Sequence, residues 1–156
     1  MLVISLLLLV LSVRKHIEFF EAFPQDVYTP VQGRPRPISM GQVGIRCCFC
    51  AHLHPSQRAP GATCYPSKRS GIYQAAQNMA NVHFMEQCAF VPETLKQELQ
   101  ILRTKKSAVR GSKAMWEDHA TALGVYDDVE GLRFAPRVNS LGFPPSRDRS
   151  SSFASY

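Results

Sequence analysis

The chain has no hydrophobic run long enough to cross a bilayer as a helix. Its most apolar stretch, Met1 to Val13, falls short of the roughly 20 apolar residues that a membrane helix needs. No basic residue precedes it, and no small-residue cleavage site follows where one would be expected. Three interpretations of residues 1–13 stay open: a secretory signal, a short membrane anchor or an apolar first strand.

Sequence motifs of common catalytic sites are also missing. There is no glycine-rich phosphate loop and no nucleophile elbow. A zinc enzyme would need an open coordination position and a nearby carboxylate, for which Glu86 is the candidate. A nucleophilic pair of Cys48 with His52 has no supporting pattern. We therefore expect no enzyme.

Cysteine is present in an odd number, five, which does not suit a fully paired disulfide framework. Cys47 and Cys50 form a Cys-x-x-Cys pair, and His83 and Cys88 follow later. Structural zinc takes four such ligands in a tetrahedron. We predict that these four residues bind Zn²⁺. A redox Cys-x-x-Cys is the alternative, but it lacks a thioredoxin-like strand-helix context and leaves His83 and Cys88 unexplained.

The spacing ahead of His83 predicts a helix. Ile72, Ala76, Met79 and His83 are separated by four, three and four positions, which places them on one helix face. His83 then lies on the buried stripe, where an imidazole needs polar partners. A core histidine bonded to a backbone carbonyl is the alternative to a zinc ligand. The segment from His52 to Ser67 is expected to loop out as an insertion.

Other donors compete for the same ion. Cys48 should point away from the metal if Cys47 and Cys50 point towards it. Cys64, His52 or His54 could replace one of the predicted ligands. These alternatives stay open on the sequence alone.

The predicted fold class is α+β: one small zinc-stapled domain over residues 14–134, with short strands and about three helices. The hydrophobic segment 1–13 precedes it, and residues 135–156, rich in Ser and Arg, are predicted to form a disordered tail. The expected elements are a strand at Gln42–Arg46, a second strand from Tyr65, the helix through His83, a helix carrying Leu95, Leu99 and Leu102, a helix from about Ser112 closed by Gly124, and a hairpin at Val125–Phe134.

Charge permits nucleic acid as a partner. Lys and Arg number 18 against 12 Asp and Glu, which gives a net charge of +6. Ordinary solvated surface charge is the alternative. The residues that could contact DNA or RNA phosphates are Arg34, Arg36, Lys68, Arg69, Lys105, Lys106 and Arg110.

Two other partners are considered. A second protein could bind an apolar patch on the Leu95 helix or at Phe19 and Phe20. A membrane becomes a partner only if residues 1–13 are an anchor. The expected location is nuclear or cytoplasmic, with the secretory pathway or membrane anchoring as the alternative.

Three phrases, GQVGIRCCFCAHL, YPSKRSGIYQAAQNMANVHF and LGVYDDVEGLRF, resemble a group of uncharacterised zinc-finger-like proteins from diatoms and related algae. The resemblance spans about Ile17 to Phe134 and implies no activity. Its single Cys-x-x-Cys matches Cys47 and Cys50, its later His and Cys match His83 and Cys88, and Met1 to Val13 departs from it. More loosely, the order strand, Cys-x-x-Cys, helix, His resembles the BED-type zinc fingers, which bind DNA. The long insertion and the final Cys depart from that pattern.

Overall fold

The structure, a computed structural model, describes residues 11–29, 36–104 and 112–137. The architecture is α+β, as predicted, with one five-stranded antiparallel sheet and helices packed against it. Most of the hydrophobic segment and nearly all of the predicted tail lie outside the described residues. Residues 11–16 are helical and Val13 packs into the core, so this part of the first segment is not an apolar strand.

The elements occur in the following order. The strands are β1 (Ile17–Glu21), β2 (Val43–Cys47), β3 (Thr63–Cys64), β4 (Val125–Asp128) and β5 (Gly131–Phe134), and the helices are α1 (Pro24–Tyr28), α2 (Ile72–Asn78), which continues as a π-helix (Met79–Gln87), α3 (Glu93–Thr104) and α4 (Ser112–Ala122). Two single 3₁₀ turns lie at Pro55–Gln57, between β2 and β3, and at Arg69–Gly71, just before α2.

Strand β2 is the centre of the sheet. It pairs along its whole length with β1, with Ile17 opposite Cys47, and its other edge pairs with β3 and with β5. Val43, Ile45 and Cys47 alternate onto one face and are fully buried, as the period of two in a strand requires. Cys47, the last residue of this buried row, therefore has its side chain in the core.

The long helices follow their apolar periodicity. Leu95, Leu99 and Leu102 on α3 are buried, as their spacing predicts. Gly124 follows α4 with φ of +84°, the left-handed conformation that ends a helix. Helix α2 begins directly after the 3₁₀ turn Arg69–Gly71 and has no side-chain cap.

The described part of the chain contains no helix that is both long enough and apolar enough to cross a membrane. Phe19 and Phe20, considered above for a protein-binding patch, lie on strand β1, which pairs with β2.

Candidate metal centre

Four predicted ligands lie together in the structure. The donor atoms of Cys47, Cys50, His83 and Cys88 are all within 4.8 Å of one another. Arms of about 2.3 Å to sulfur and about 2.0 Å to nitrogen in a tetrahedron place sulfur and nitrogen about 3.5 Å apart. The Cys50 Sγ to His83 Nε2 distance is 3.5 Å. The cluster therefore has the size of a tetrahedral metal site and could hold a metal ion.

All four ligand residues are buried. Cys47 and His83 are 0% exposed, and Cys50 and Cys88 are 2% exposed. Structural zinc sites are closed by protein ligands, whereas catalytic sites keep a position open to water or substrate. Glu86, the carboxylate considered for catalysis, is exposed on the π-helix. The burial of the donors favours a structural centre.

The first pair of ligands comes from the end of β2 and the turn after it. The Cys50 thiol donates to the Cys47 sulfur, and the backbone N–H groups of Phe49 and Cys50 also donate to it. These bonds lower the pKa of Cys47 to about 4, although burial acts in the opposite direction. The turn thus favours a thiolate at Cys47, the form that binds metal.

The other two thiols hold their protons more tightly. The hydrogen bond that it donates to Cys47 raises the pKa of Cys50, and burial adds to the effect. Burial raises the pKa of Cys88, although the Phe90 backbone N–H donates to its sulfur and works in the opposite direction. An ion entering the cluster must displace these protons, so that metal binding releases protons.

The second pair of ligands depends on the π-helix. An α-helix advances about 100° per residue, so that residue 88 would be rotated about 140° away from residue 83. In a π-helix each turn closes over five residues, and the Cys88 N–H donates to the His83 carbonyl at 2.8 Å. This wider turn brings the two ligands to the same side. Their spacing of five positions fits this wider turn.

A backbone carbonyl fixes the His83 ring. His83 Nδ1 is 2.9 Å from the Pro60 oxygen, which can only accept, so Nδ1 carries the proton and Nε2 is free to bind metal. The hydrogen bond to a backbone carbonyl, expected for a core histidine, is therefore found at Nδ1, while Nε2 faces Cys50 and could still bind a metal ion.

The segment from His52 to Ser67 does not loop out, and that expectation is wrong. The Ala62 carbonyl accepts the Cys47 N–H at 2.9 Å, and β3 pairs with β2. At Gly61, φ is +78°, and an added Cβ would lie 3.3 Å from the Cβ of His83. The segment therefore forms one wall of the site, because its backbone supplies hydrogen-bond partners to two ligand residues.

The competing donors lie elsewhere. His52 is exposed and its ring is 5.1 Å from that of Phe90, while Nδ1 of exposed His54 bonds the Ser56 hydroxyl at 2.7 Å. The Cys48 sulfur is 4.0 Å from His16 Nδ1, and burial raises the pKa of Cys48 to about 11. Cys48 is therefore a protonated thiol at neutral pH, and neither a ligand nor an activated nucleophile. Cys64 lies on β3 and is not one of the four clustered donors.

The predicted phosphate contacts have mixed positions. Arg36 and Lys68 are exposed. Arg69 makes contacts within the protein: its Nη1 donates to Thr121 Oγ1 at 2.7 Å, and its Nε lies 3.5 Å from Asp127 Oδ1. The remaining predicted contacts lie outside the described residues: Arg34, Lys105, Lys106 and Arg110.

Positive charge is concentrated away from the described part of the chain. The described ranges contain 12 of the 18 Lys and Arg and 11 of the 12 Asp and Glu, so they carry only about one unit of the net +6. The rest belongs to residues 30–35, 105–111 and 138–156.

No protein-family model, no curated protein and no solved structure matches the chain. What defines its class is therefore the geometry itself: a small α+β domain with a buried Cys₃His cluster that could bind a metal ion.

Proposed function

We propose that the chain is a zinc-stabilised binding domain, in which Cys47, Cys50, His83 and Cys88 hold one structural Zn²⁺. The observation that carries this proposal is the convergence of four buried donors within 4.8 Å. Three thiolates and an imidazole in a tetrahedron suit zinc, whereas oxygen donors suit magnesium and calcium. The ion would join the end of β2 to the π-helix, two regions far apart in sequence.

Removal and return of the metal test the zinc part of the proposal. Zinc-loaded protein treated with a strong chelator should lose its helical circular dichroism signal, because structural zinc contributes folding free energy. Adding zinc back should restore the signal, and adding magnesium should not. A spectrum and melting temperature that stay unchanged after verified metal removal would refute a structural ion.

The molecular role that we propose for this domain is binding to DNA or RNA. Its support is the net charge of +6 and the concentration of that charge in three segments that interrupt or follow the zinc-bound body. Basic segments neutralise phosphates and release counterions. The centre would then hold the body together while these segments contact the nucleic acid.

Fluorescence anisotropy with labelled single- and double-stranded DNA and RNA, across a salt series, tests this role. The variant Lys105→Gln/Lys106→Gln/Arg110→Gln should bind more weakly, with a salt slope that falls by about one per lost phosphate contact. The matched control, Lys15→Gln/Lys96→Gln/Arg137→Gln, removes the same charge from the described body. Absence of salt-sensitive binding, or equal losses in both variants, would contradict the role.

A protein-binding module on the same zinc scaffold is the second proposal. Three of the residues first considered for its surface are buried: Leu95, Leu99 and Phe20 are 6%, 2% and 5% exposed. Two aromatic side chains at α1 favour it instead: Phe23 is 58% and Tyr28 is 80% exposed. Nuclease-resistant association that is lost in Phe23→Ser/Tyr28→Ser would support this alternative over nucleic-acid binding.

A further inference from the structure

A buried ion pair lies beside the metal centre. Arg58 and Asp26 have side chains that are only 4% and 3% exposed, and Arg58 Nη1 is 3.7 Å from Asp26 Oδ1. Charged groups are rarely buried unless they are paired and hydrogen-bonded. The pair joins α1 to the segment that follows the Cys47–Cys50 turn.

The Arg58 guanidinium hydrogen-bonds the backbone of the residues directly after Cys50. Its Nη2 donates to the Ala51 carbonyl at 3.0 Å, and its Nε donates to the Leu53 carbonyl at 3.0 Å. The Leu53 N–H in turn donates to the Cys50 carbonyl at 3.1 Å. The Arg58 side chain therefore fixes the backbone that directly follows Cys50.

The same side chain reaches the strand that returns to the site. Arg58 Nη1 lies 3.5 Å from the Thr63 hydroxyl on β3, and the residue before Thr63, Ala62, accepts the Cys47 N–H. Both sides of the ligand turn, after Cys50 and opposite Cys47, are therefore connected to one guanidinium.

Asp26 holds that guanidinium in place. Its Oδ2 accepts the Phe23 N–H at 2.9 Å, which fixes the carboxylate at the start of α1. Its Oδ1 faces Arg58. The carboxylate is thereby anchored to the backbone on one side and to the cation on the other.

We propose that Arg58, oriented by Asp26, is a positioning residue of the metal centre and sets how slowly the ion is released. The inference rests on the proposed zinc centre and extends it to residues that do not touch the ion. Lysine cannot replace this arginine, because one ammonium cannot reproduce a planar fork that serves two carbonyls and a carboxylate. Without the fork, the turn that carries Cys47 and Cys50 opens more readily.

The experiment measures zinc transfer from the full-length protein to a colorimetric chelator. Arg58→Lys should release zinc at least about tenfold faster than the wild type, the scale found for groups that support metal ligands. Arg133→Lys is the matched control, because Arg133 also donates to a backbone carbonyl, that of Met40, and to a carboxylate, that of Glu130. It should release zinc at the wild-type rate.

Two further variants separate positioning from general stability. Asp26→Asn keeps the guanidinium and should also accelerate zinc release. If Arg58→Lys does not fold, the release rate of Asp26→Asn tests the positioning role. Leu132→Ala makes a cavity at a fully buried residue of β5 and should lower stability without a comparable gain in release rate. In cobalt-loaded protein, Arg58→Lys should also change the visible absorption bands, which report ligand geometry.

The outcomes are distinguishable. Wild-type release rates in both Arg58→Lys and Asp26→Asn, or an equal acceleration in Leu132→Ala, would overturn the positioning role. A wild-type protein that binds no zinc at all would instead refute the proposed function.

Discussion

Gly61 offers a sharp test of the wall that the segment 52–67 builds around His83. Its φ of +78° lies in the left-handed region, and an alanine Cβ there would be 3.3 Å from the Cβ of His83. The backbone strain alone costs about 1–2 kcal/mol. The contact is tighter than ordinary packing, so the histidine must move by a few tenths of an ångström.

Such a movement matters at a metal centre, because ligand distances are held within about 0.2 Å. Gly61→Ala should therefore lower the free energy of unfolding by at least about 1–2 kcal/mol and weaken zinc affinity about tenfold or more. Gly124→Ala is the matched control: its φ is +84°, and its nearest neighbour would be the Ala135 Cβ at 3.8 Å. It carries similar backbone strain, and an added Cβ there would contact no predicted ligand.

Urea denaturation and competition with a chelator of known affinity measure the two effects separately. Both variants should lose a similar amount of stability from strain, and only Gly61→Ala should lose zinc affinity beyond it. Equal zinc affinity in Gly61→Ala and Gly124→Ala would refute the argument that the Pro60–Gly61 backbone positions His83.

Three further predictions follow from single residues. Cys88→Ala should abolish stoichiometric zinc binding by atomic absorption, whereas Cys48→Ala should keep one zinc per chain; equal metal contents would contradict the ligand assignment. Leu99→Ala removes a side chain that is 2% exposed and should cost about 2–5 kcal/mol in urea denaturation; a loss below about 1 kcal/mol would show that α3 packs differently. Burial lowers the pKa of His119 below its ordinary 6.5, so the unfolded state binds more protons than the folded state as the pH falls. The stability that comes from keeping His119 neutral is therefore present above pH 6.5 and is lost as the pH falls through the folded-state pKa. His119→Gln should therefore show a shallower loss of stability on acidification, measured by urea titration at each pH, and an unchanged slope would contradict it.

The features that the sequence predicts correctly are local ones. Leu95, Leu99 and Leu102 repeat at helical spacing, and that spacing alone decides which face of α3 is buried. Gly124 marks the end of α4 because few other residues adopt a positive φ there. The hairpin of β4 and β5 follows from two short strand patterns on either side of a turn.

The features that sequence analysis missed depend on distant parts of the chain. Arg58 and Asp26 are 32 positions apart, and nothing local shows that either charge is buried. The packing of the segment 52–67 depends on carbonyls of Pro60 and Ala62 that meet His83 and Cys47 only in the folded protein. Loop composition correctly indicated little regular structure there, but it does not reveal whether a loop lies on the site.

The π-helix is an intermediate case. The apolar stripe from Ile72 to His83 predicts an α-helix, and α2 begins that way. From Met79 the backbone forms hydrogen bonds between residues i and i+5. The spacing of the hydrophobic residues up to His83 is that of an ordinary α-helix, so it does not reveal this change. His83 and Cys88 lie five positions apart, which does not place them on one face of an α-helix. This spacing is compatible with the wider turn but does not by itself predict it.

X-ray absorption at the zinc edge, on purified full-length protein with its metal content determined, tests the central claim most directly. The proposed zinc centre predicts one zinc per chain, coordinated by three sulfurs at about 2.3 Å and one nitrogen at about 2.0 Å. Protein that carries no metal, or zinc coordinated by oxygen or by fewer than three sulfurs, would contradict a Cys₃His centre at Cys47, Cys50, His83 and Cys88.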